Sequence, residues 1–179
     1  MSGAEHGSTL RVDAILARAA LSEPQRAAVV FGKLSWTYAE VYDRALRLAG
    51  ALSVLGVHKG DRVALWTTNR PEFVEMLFGV PLLGAIAAPL DYWWNWKDAY
   101  AALSQIRPKV LIVGSAQAVA AAEARAAIRE AGIEHVLCLD EPPPGSDLDS
   151  YADLLADASR LGRPTAVVAS DPAMFLFTS

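Results

Sequence analysis

A strand–helix–strand unit at residues 56–91, GVHKGDRVALWTTNRPEFVEMLFGVPLLGAIAAPLD, constrains the fold more than any other stretch. Gly56, Gly60 and Asp61 mark a turn, and the apolar run RVALW at 62–66 predicts a buried strand. Asn69 and Glu72 have the spacing of a capping box. Pro71 fits the first helical turn, where its missing N–H would have no partner anyway. Phe73, Val74, Met76, Leu77 and Val80 recur at helical spacing and predict one apolar face. Gly84 ends that helix, and residues 85–90 return as a second apolar strand. Two strands joined through a helix by short connections run parallel, with a right-handed crossover.

The chain has 179 residues, enough for one domain with a sizeable core, and at 53% hydrophobic and 20% charged it reads as globular. Its net charge of −4 gives no electrostatic basis for binding nucleic acid or an anionic membrane. The single cysteine, Cys138, has no partner for an internal disulfide; inside the apolar run HVLCL it reads as a buried, inert thiol. The first ten residues are polar and lack the apolar core of a signal peptide. Residues 76–90 form the longest apolar run, but they fall short of the ~20 residues of a membrane span and contain Gly79, Pro81 and Gly84. No transmembrane segment is expected, and the expected compartment is cytoplasmic.

Ahead of the central unit, Thr9 is a candidate cap for a helix over residues 10–21, which Pro24 closes. Residues 27–31 and 34–36 are two short β runs around Gly32-Lys33, spaced as a tight hairpin. Thr37 and Glu40 form a capping box, with Trp36 and Val41 placed as a hydrophobic staple. From Tyr38 to Leu55 apolar residues return at steps of three and four, while Glu40, Asp43, Arg44 and Arg47 read as a solvated face. Gly56 supplies the C-terminal cap.

After the unit come Tyr92, Trp93, Trp94, Asn95 and Trp96. The aromatics either line or lid an acyl or aromatic pocket, or pack the connection onto the sheet; the large area aromatics bury favours packing. Residues 97–106 predict a helix stopped by Pro108, 109–113 a strand, 115–131 an alanine-rich helix opened by Gly114-Ser115, and 134–139 another strand. EPPPGSDLDS reads as a surface linker, followed by a short helix at 151–158 and a strand at 173–177. The chain thus divides into a lead-in at 1–26, an α/β subdomain at 27–140, a linker at 141–170 and a closing strand at 171–179. The near-continuous apolar runs at 63–66, 86–88, 110–113 and 136–139 alternate with helical patterns, which gives an α/β fold with a largely parallel sheet flanked by helices.

No complete catalytic constellation is present. His6, His58 and His135 are scattered without metal-ligand spacing and read as solvated or packing residues. Gly114-Ser115 lies between strand and helix, where a phosphate sits well on a helix N-terminus. There is no G-x-G-x-x-G and no Walker lysine there, so Ser115 reads as a plain N-cap. Asp91 ends a strand on the edge of a parallel sheet where ligands bind, but a lone acid is weak as a site. Thr178 and Ser179 follow an apolar strand, where a phosphate loop would begin.

The order of these segments resembles the N-terminal part of the adenylate-forming enzymes, the AMP-binding acyl-CoA synthetase and ligase superfamily. The matching residues are WTYAEVYDRALRLAGALSVLGVHKGDRVALWTTNRPEF, then GVPLLGAIAAPLD, then KVLIVGS and the final DPAMFLFTS. The resemblance covers roughly residues 34–179. It implies a partial N-terminal domain of the adenylate-forming fold, in a family that turns a carboxylate and ATP into an acyl-adenylate and then a coenzyme A thioester. ATP, Mg2+ and CoA are the family's cofactors. In the family the closing strand enters the loop T-S-G-T-T-G-x-P-K-G, of which Thr178 and Ser179 are the residues present here. By the resemblance these two help to hold the ATP phosphates, in a nest of hydroxyls and backbone N–H groups. The missing C-terminal portion of the parent enzyme would supply the rest, so no cofactor is expected to bind tightly to this chain alone and no catalytic or metal-ligating residue is assigned to it. The run PLDYWWNWKDAYAAL looks most like fatty-acyl or medium-chain acyl-CoA synthetases, with Asp91 in place of the usual Asn. Rival readings are a non-catalytic α/β binding module, the N-terminal subunit of a split enzyme, and a flavodoxin-like nucleotide-binding domain; the last is disfavoured because no internal strand is followed by a phosphate-binding glycine loop.

Overall fold

A computed structural model of the chain describes residues 11–177. The proposed Thr9 cap, His6, Thr178 and Ser179 lie outside the described residues. The elements run α1 (Val12–Ser22), β1 (Ala27–Phe31), β2 (Leu34–Thr37), α2 (Tyr38–Val54), β3 (Arg62–Trp66), α3 (Pro71–Leu82) and β4 (Ile86–Pro89). They continue with α4 (Trp96–Ile106), β5 (Val110–Val113), α5 (Ser115–Glu123), α6 (Arg125–Glu130), β6 (His135–Cys138), β7 (Asp149–Ser150) and α7 (Tyr151–Asp157).

β1 and β2 form the expected antiparallel hairpin. The other five strands form one parallel sheet in the order β4-β3-β5-β6-β7. Alternation along the strands divides the core. Val63, Leu65, Val110, Ile112 and Leu137 face α1, α2, α3 and α7, where Leu48, Leu52, Met76 and Val80 pack. Ala64, Trp66, Leu111, Val113, Val136 and Cys138 face the opposite side, against Leu103, Ala118 and Ile128 of α4, α5 and α6. Both faces are covered, as a parallel sheet requires. Cys138 is fully buried, and burial pushes its thiol pKa up.

α2 forms as its sequence dictates. Thr37 accepts a hydrogen bond from the Glu40 N–H, and the Glu40 carboxylate accepts from the Thr37 N–H at 2.7 Å. Such a cap stabilises by about 1 kcal/mol. Its buried stripe is Val41, Ala45, Leu48, Ala49, Ala51 and Leu52.

Several local readings are corrected. Asn69 and Glu72 do not cap α3: Arg70 is the N-cap residue, without a side-chain cap bond, and its guanidinium holds Glu72. The charge pair outcompetes the cap because both oxygens of Glu72 are taken. The alanine-rich helix is two helices, broken at Ala124. Within residues 141–170, β7 adds a parallel edge strand to the sheet. The closing strand is reduced to one parallel bridge between Ala87 and Met174. Ala87 donates to Ala173 O at 3.0 Å and accepts from Phe175 N at 2.9 Å. The next donor on β4 would be Pro89, which has no N–H, so the ladder stops.

Candidate functional site

The carboxyl ends of the parallel strands are the expected place for a ligand, above all where the strand order reverses. Here that point lies between β3 and β5, since the chain leaves β3 for β4 on one side and places β5 on the other. The crevice is closed by the protein's own groups. Gly114 donates to Trp66 O at 3.1 Å. Thr67 and Gln117 are buried beside it. A Cβ on Gly114 would lie 2.4 Å from Thr67 Oγ1. Gly114→Ala is therefore expected to destabilise by about 1–3 kcal/mol, the usual cost of overpacking. A lowered urea midpoint checks it, and Thr67→Ala in the same chain should recover part of the loss.

Three strand ends are tied together beside this crevice. Arg70 Nη1 donates to both oxygens of Asp140, at 3.0 and 2.9 Å. Arg70 also donates to Glu72 at 2.8 and 3.2 Å. The Glu72 hydrogen bonds, with those to Asp140, push the Arg70 pKa up. Asp140 Oδ2 accepts from the Ser115 N–H at 2.9 Å. Burial acts to raise the Asp140 carboxyl, but Arg70 and the Ser115 N–H together hold it below its ordinary value. Ser115 is thus not a side-chain cap: Gly114 is the N-cap of α5, and the Asp140 carboxylate occupies the helix N-terminus. An anion is favoured there by the unpaired N–H groups and the helix dipole, and the chain supplies its own.

The aromatic run divides between roles. Trp96 packs into the core, 6.2 Å from Trp66 and 5.7 Å from Tyr100 between ring centroids. Trp94 meets Phe177 edge-on at 5.5 Å. Trp93 stays 78% exposed, its ring tilted against that of Tyr92 at 4.6 Å between centroids. Asp91 is exposed and accepts from the Trp93 N–H at 2.9 Å, an Asx turn that shapes this loop. Phe177 is the last described residue, so the chain enters Thr178 from a residue that packs on the Trp94 loop. No cluster of three or more His, Cys, Asp or Glu able to hold a metal ion occurs among the described residues.

A second polar cluster was not legible in the sequence. Glu75 of α3 is fully buried; Arg44 Nε pairs with its Oε1, and Tyr151 Oη donates to its Oε2 at 2.8 Å. The Arg44 guanidinium also lies 4.3 Å over the Trp36 ring. Arg44 therefore does not belong to a purely solvated face, and the buried side of α3 includes Glu75.

The AMP-binding enzyme family matches residues 16–179. The chain belongs to that family. "Probable acyl-activating enzyme 21" of Arabidopsis thaliana is 32% identical over 92% of this chain and 31% of its own length. Feruloyl-CoA synthase of an Amycolatopsis species is 35% identical over 82% of this chain and 30% of its own. The solved Mycobacterium tuberculosis fatty acyl CoA synthetase superposes with a TM-score of 0.74 at 28% identity, over 94% of this chain and 32% of that one. This AMP-binding enzyme chain corresponds to the N-terminal region of the adenylate-forming superfamily and spans about a third of the length of these two curated relatives. No helix among its described residues is long and apolar enough to cross a membrane.

Proposed function

We propose that the chain is the N-terminal part of an ATP-dependent acyl-CoA synthetase. The parent activates a carboxylate with ATP to an acyl-adenylate and pyrophosphate, then transfers the acyl group to coenzyme A. The observation that carries this reading is the path of residues 173–177. The Ala87–Met174 bridge runs this segment parallel to β4, toward the carboxyl edge, and Phe177 ends against Trp94. By the resemblance, Thr178 and Ser179, the next residues in the sequence, would open the phosphate-binding loop.

Two groups at the carboxyl edge that could meet a phosphate are engaged within the chain. The α5 N-terminus is filled by Asp140, and Arg70 is engaged by two carboxylates. A fatty or medium-chain acid is the proposed acyl substrate, on the Trp93-Trp94 pair after Pro89-Leu90. Carboxylate-dependent ATP–pyrophosphate exchange tests it, on this chain carried through the remaining length of its relatives. Octanoate and palmitate should support exchange better than benzoate; exchange with aryl acids alone would overturn the acyl assignment, and none with any carboxylate would overturn the activity.

A further inference from the structure

From Ala158 to Phe177 the chain contains no buried residue, although it crosses α2, α3 and the edge of β4. It is held by widely spaced polar contacts, and Leu161 and Phe177 pack half-buried against the core near its two ends. Leu161 N donates to Leu46 O at 2.9 Å, and Thr165 N to Leu82 O at 2.8 Å. Arg160 pairs with Asp43, and Arg11 Nη1 donates to Val167 O at 3.0 Å. Beneath it lies a cavity of about 110 Å³, lined by Val167, Val168 and Pro172 on one side and Val12, Pro81 and Ala85 on the other. A void forfeits dispersion contacts on its lining. A segment with few buried apolar contacts and exposed backbone bonds opens at a lower free energy than the core.

One contact sits at the centre of this span. Lys59 Nζ reaches Asp171 Oδ2 at 2.6 Å, and the same oxygen accepts from the Val168 N–H at 2.8 Å. Gly84 makes room for it: a Cβ there would lie 3.0 Å from Lys59 Cγ and 3.0 Å from Val167 Cγ1. The root of the span is anchored in α7 by buried Leu155 and by the Tyr151–Glu75 bond.

We propose that residues 158–177 are a detachable strap, clasped to the α/β body by Lys59 and Asp171, and that its docking on β4 decides where the chain enters Thr178. The strap opens as one unit because its contacts are too sparse to hold any part alone, and the clasp joins Asp171 to the turn that precedes β3. The consequence for phosphate binding rests on the proposed function; the docking itself does not.

Amide hydrogen exchange on the 179-residue chain separates the two. Leu161, Thr165 and Phe175 report on the strap through their bonds to the body; Gly114 and Leu139, which donate to Trp66 O and Val113 O, report on the sheet. In the native chain the strap amides should exchange together and faster than the sheet amides. Lys59→Ala should speed all three strap amides by about two- to five-fold, the range for a partly exposed ion pair, and leave Gly114 and Leu139 unchanged. Asp171→Asn keeps an acceptor for the Val168 N–H while removing the charge, and should give the same result. Strap amides as slow as the sheet, exchange of strap and sheet together, or an effect confined to Val168 would each overturn the proposal. Failure of carboxylate activation would leave these outcomes untouched and would count against the functional reading alone.

Discussion

A polypeptide of residues 1–179 is expected to release no carboxylate-dependent pyrophosphate from ATP above background. Adenylation needs the triphosphate oriented, its charge neutralised and the carboxylate held in line with the α-phosphate. Positioning alone is worth up to about 7–11 kcal/mol, and each preorganised donor about 10²–10³ in rate, only when the groups share one site. At the carboxyl edge the favourable anion seat on α5 is taken by Asp140, and Arg70 is bound by Asp140 and Glu72. Freeing either would leave a carboxylate without its partner. Pyrophosphate release is compared with that of a chain carried through the remaining length of its relatives. Comparable turnover by residues 1–179 would refute the expectation. Activity restored by supplying the remaining length as a separate chain would show a split enzyme instead.

Arg44→Ala is expected to lower stability by about 3 kcal/mol at pH 7, the largest effect of a single substitution here. The Glu75 carboxylate is fully buried and would keep only the Tyr151 hydroxyl as partner. The figure is the low end for breaking a buried pair, because the Arg44 side chain is 35% exposed. Removal of the guanidinium also ends its contact with the Trp36 ring. The pH dependence has a definite sign. Burial raises the Glu75 pKa above its ordinary 4.5, although Arg44 and Tyr151 both act to lower it. The folded state therefore holds the Glu75 proton more tightly than the unfolded state does. The contribution of this proton is fully present below about pH 4.5 and is lost as pH rises through the folded pKa. Without Arg44 that loss is larger, so the penalty of Arg44→Ala grows from pH 4 to pH 7. Urea unfolding at both pH values measures it. Glu75→Gln in the Arg44→Ala background should remove most of the pH difference, and a penalty equal at both pH values would sink this account.

What the sequence alone determined is local or periodic. Thr37 and Glu40 cap α2 as read, because both partners lie within three residues and the helix brings them together by itself. The parallel strands and their two apolar faces followed from alternation: Val63 and Leu65 must face one layer, Ala64 and Trp66 the other. Gly84 was legible as the helix end because the chain turns there through a positive φ of 69°. The relatedness was legible for the same reason, since its motifs are those capped helices and turns.

Tertiary structure decided every long-range choice of polar partner. Glu72 had a local role available as a cap and took Arg70 instead, while Arg70 in turn reached Asp140, 70 positions away. Arg44 found Glu75 at a separation of 31, and Glu75 found Tyr151 at 76. Ser115 lost its capping role to Asp140, which arrives from the end of a different strand. A charged side chain carries no periodic signature of its partner, and its energy depends on burial and on distances of a few ångströms. The closing strand shows the same division. Its apolar residues predict pairing, but the length of the ladder was set by Pro89 on its neighbour, which has no N–H to offer.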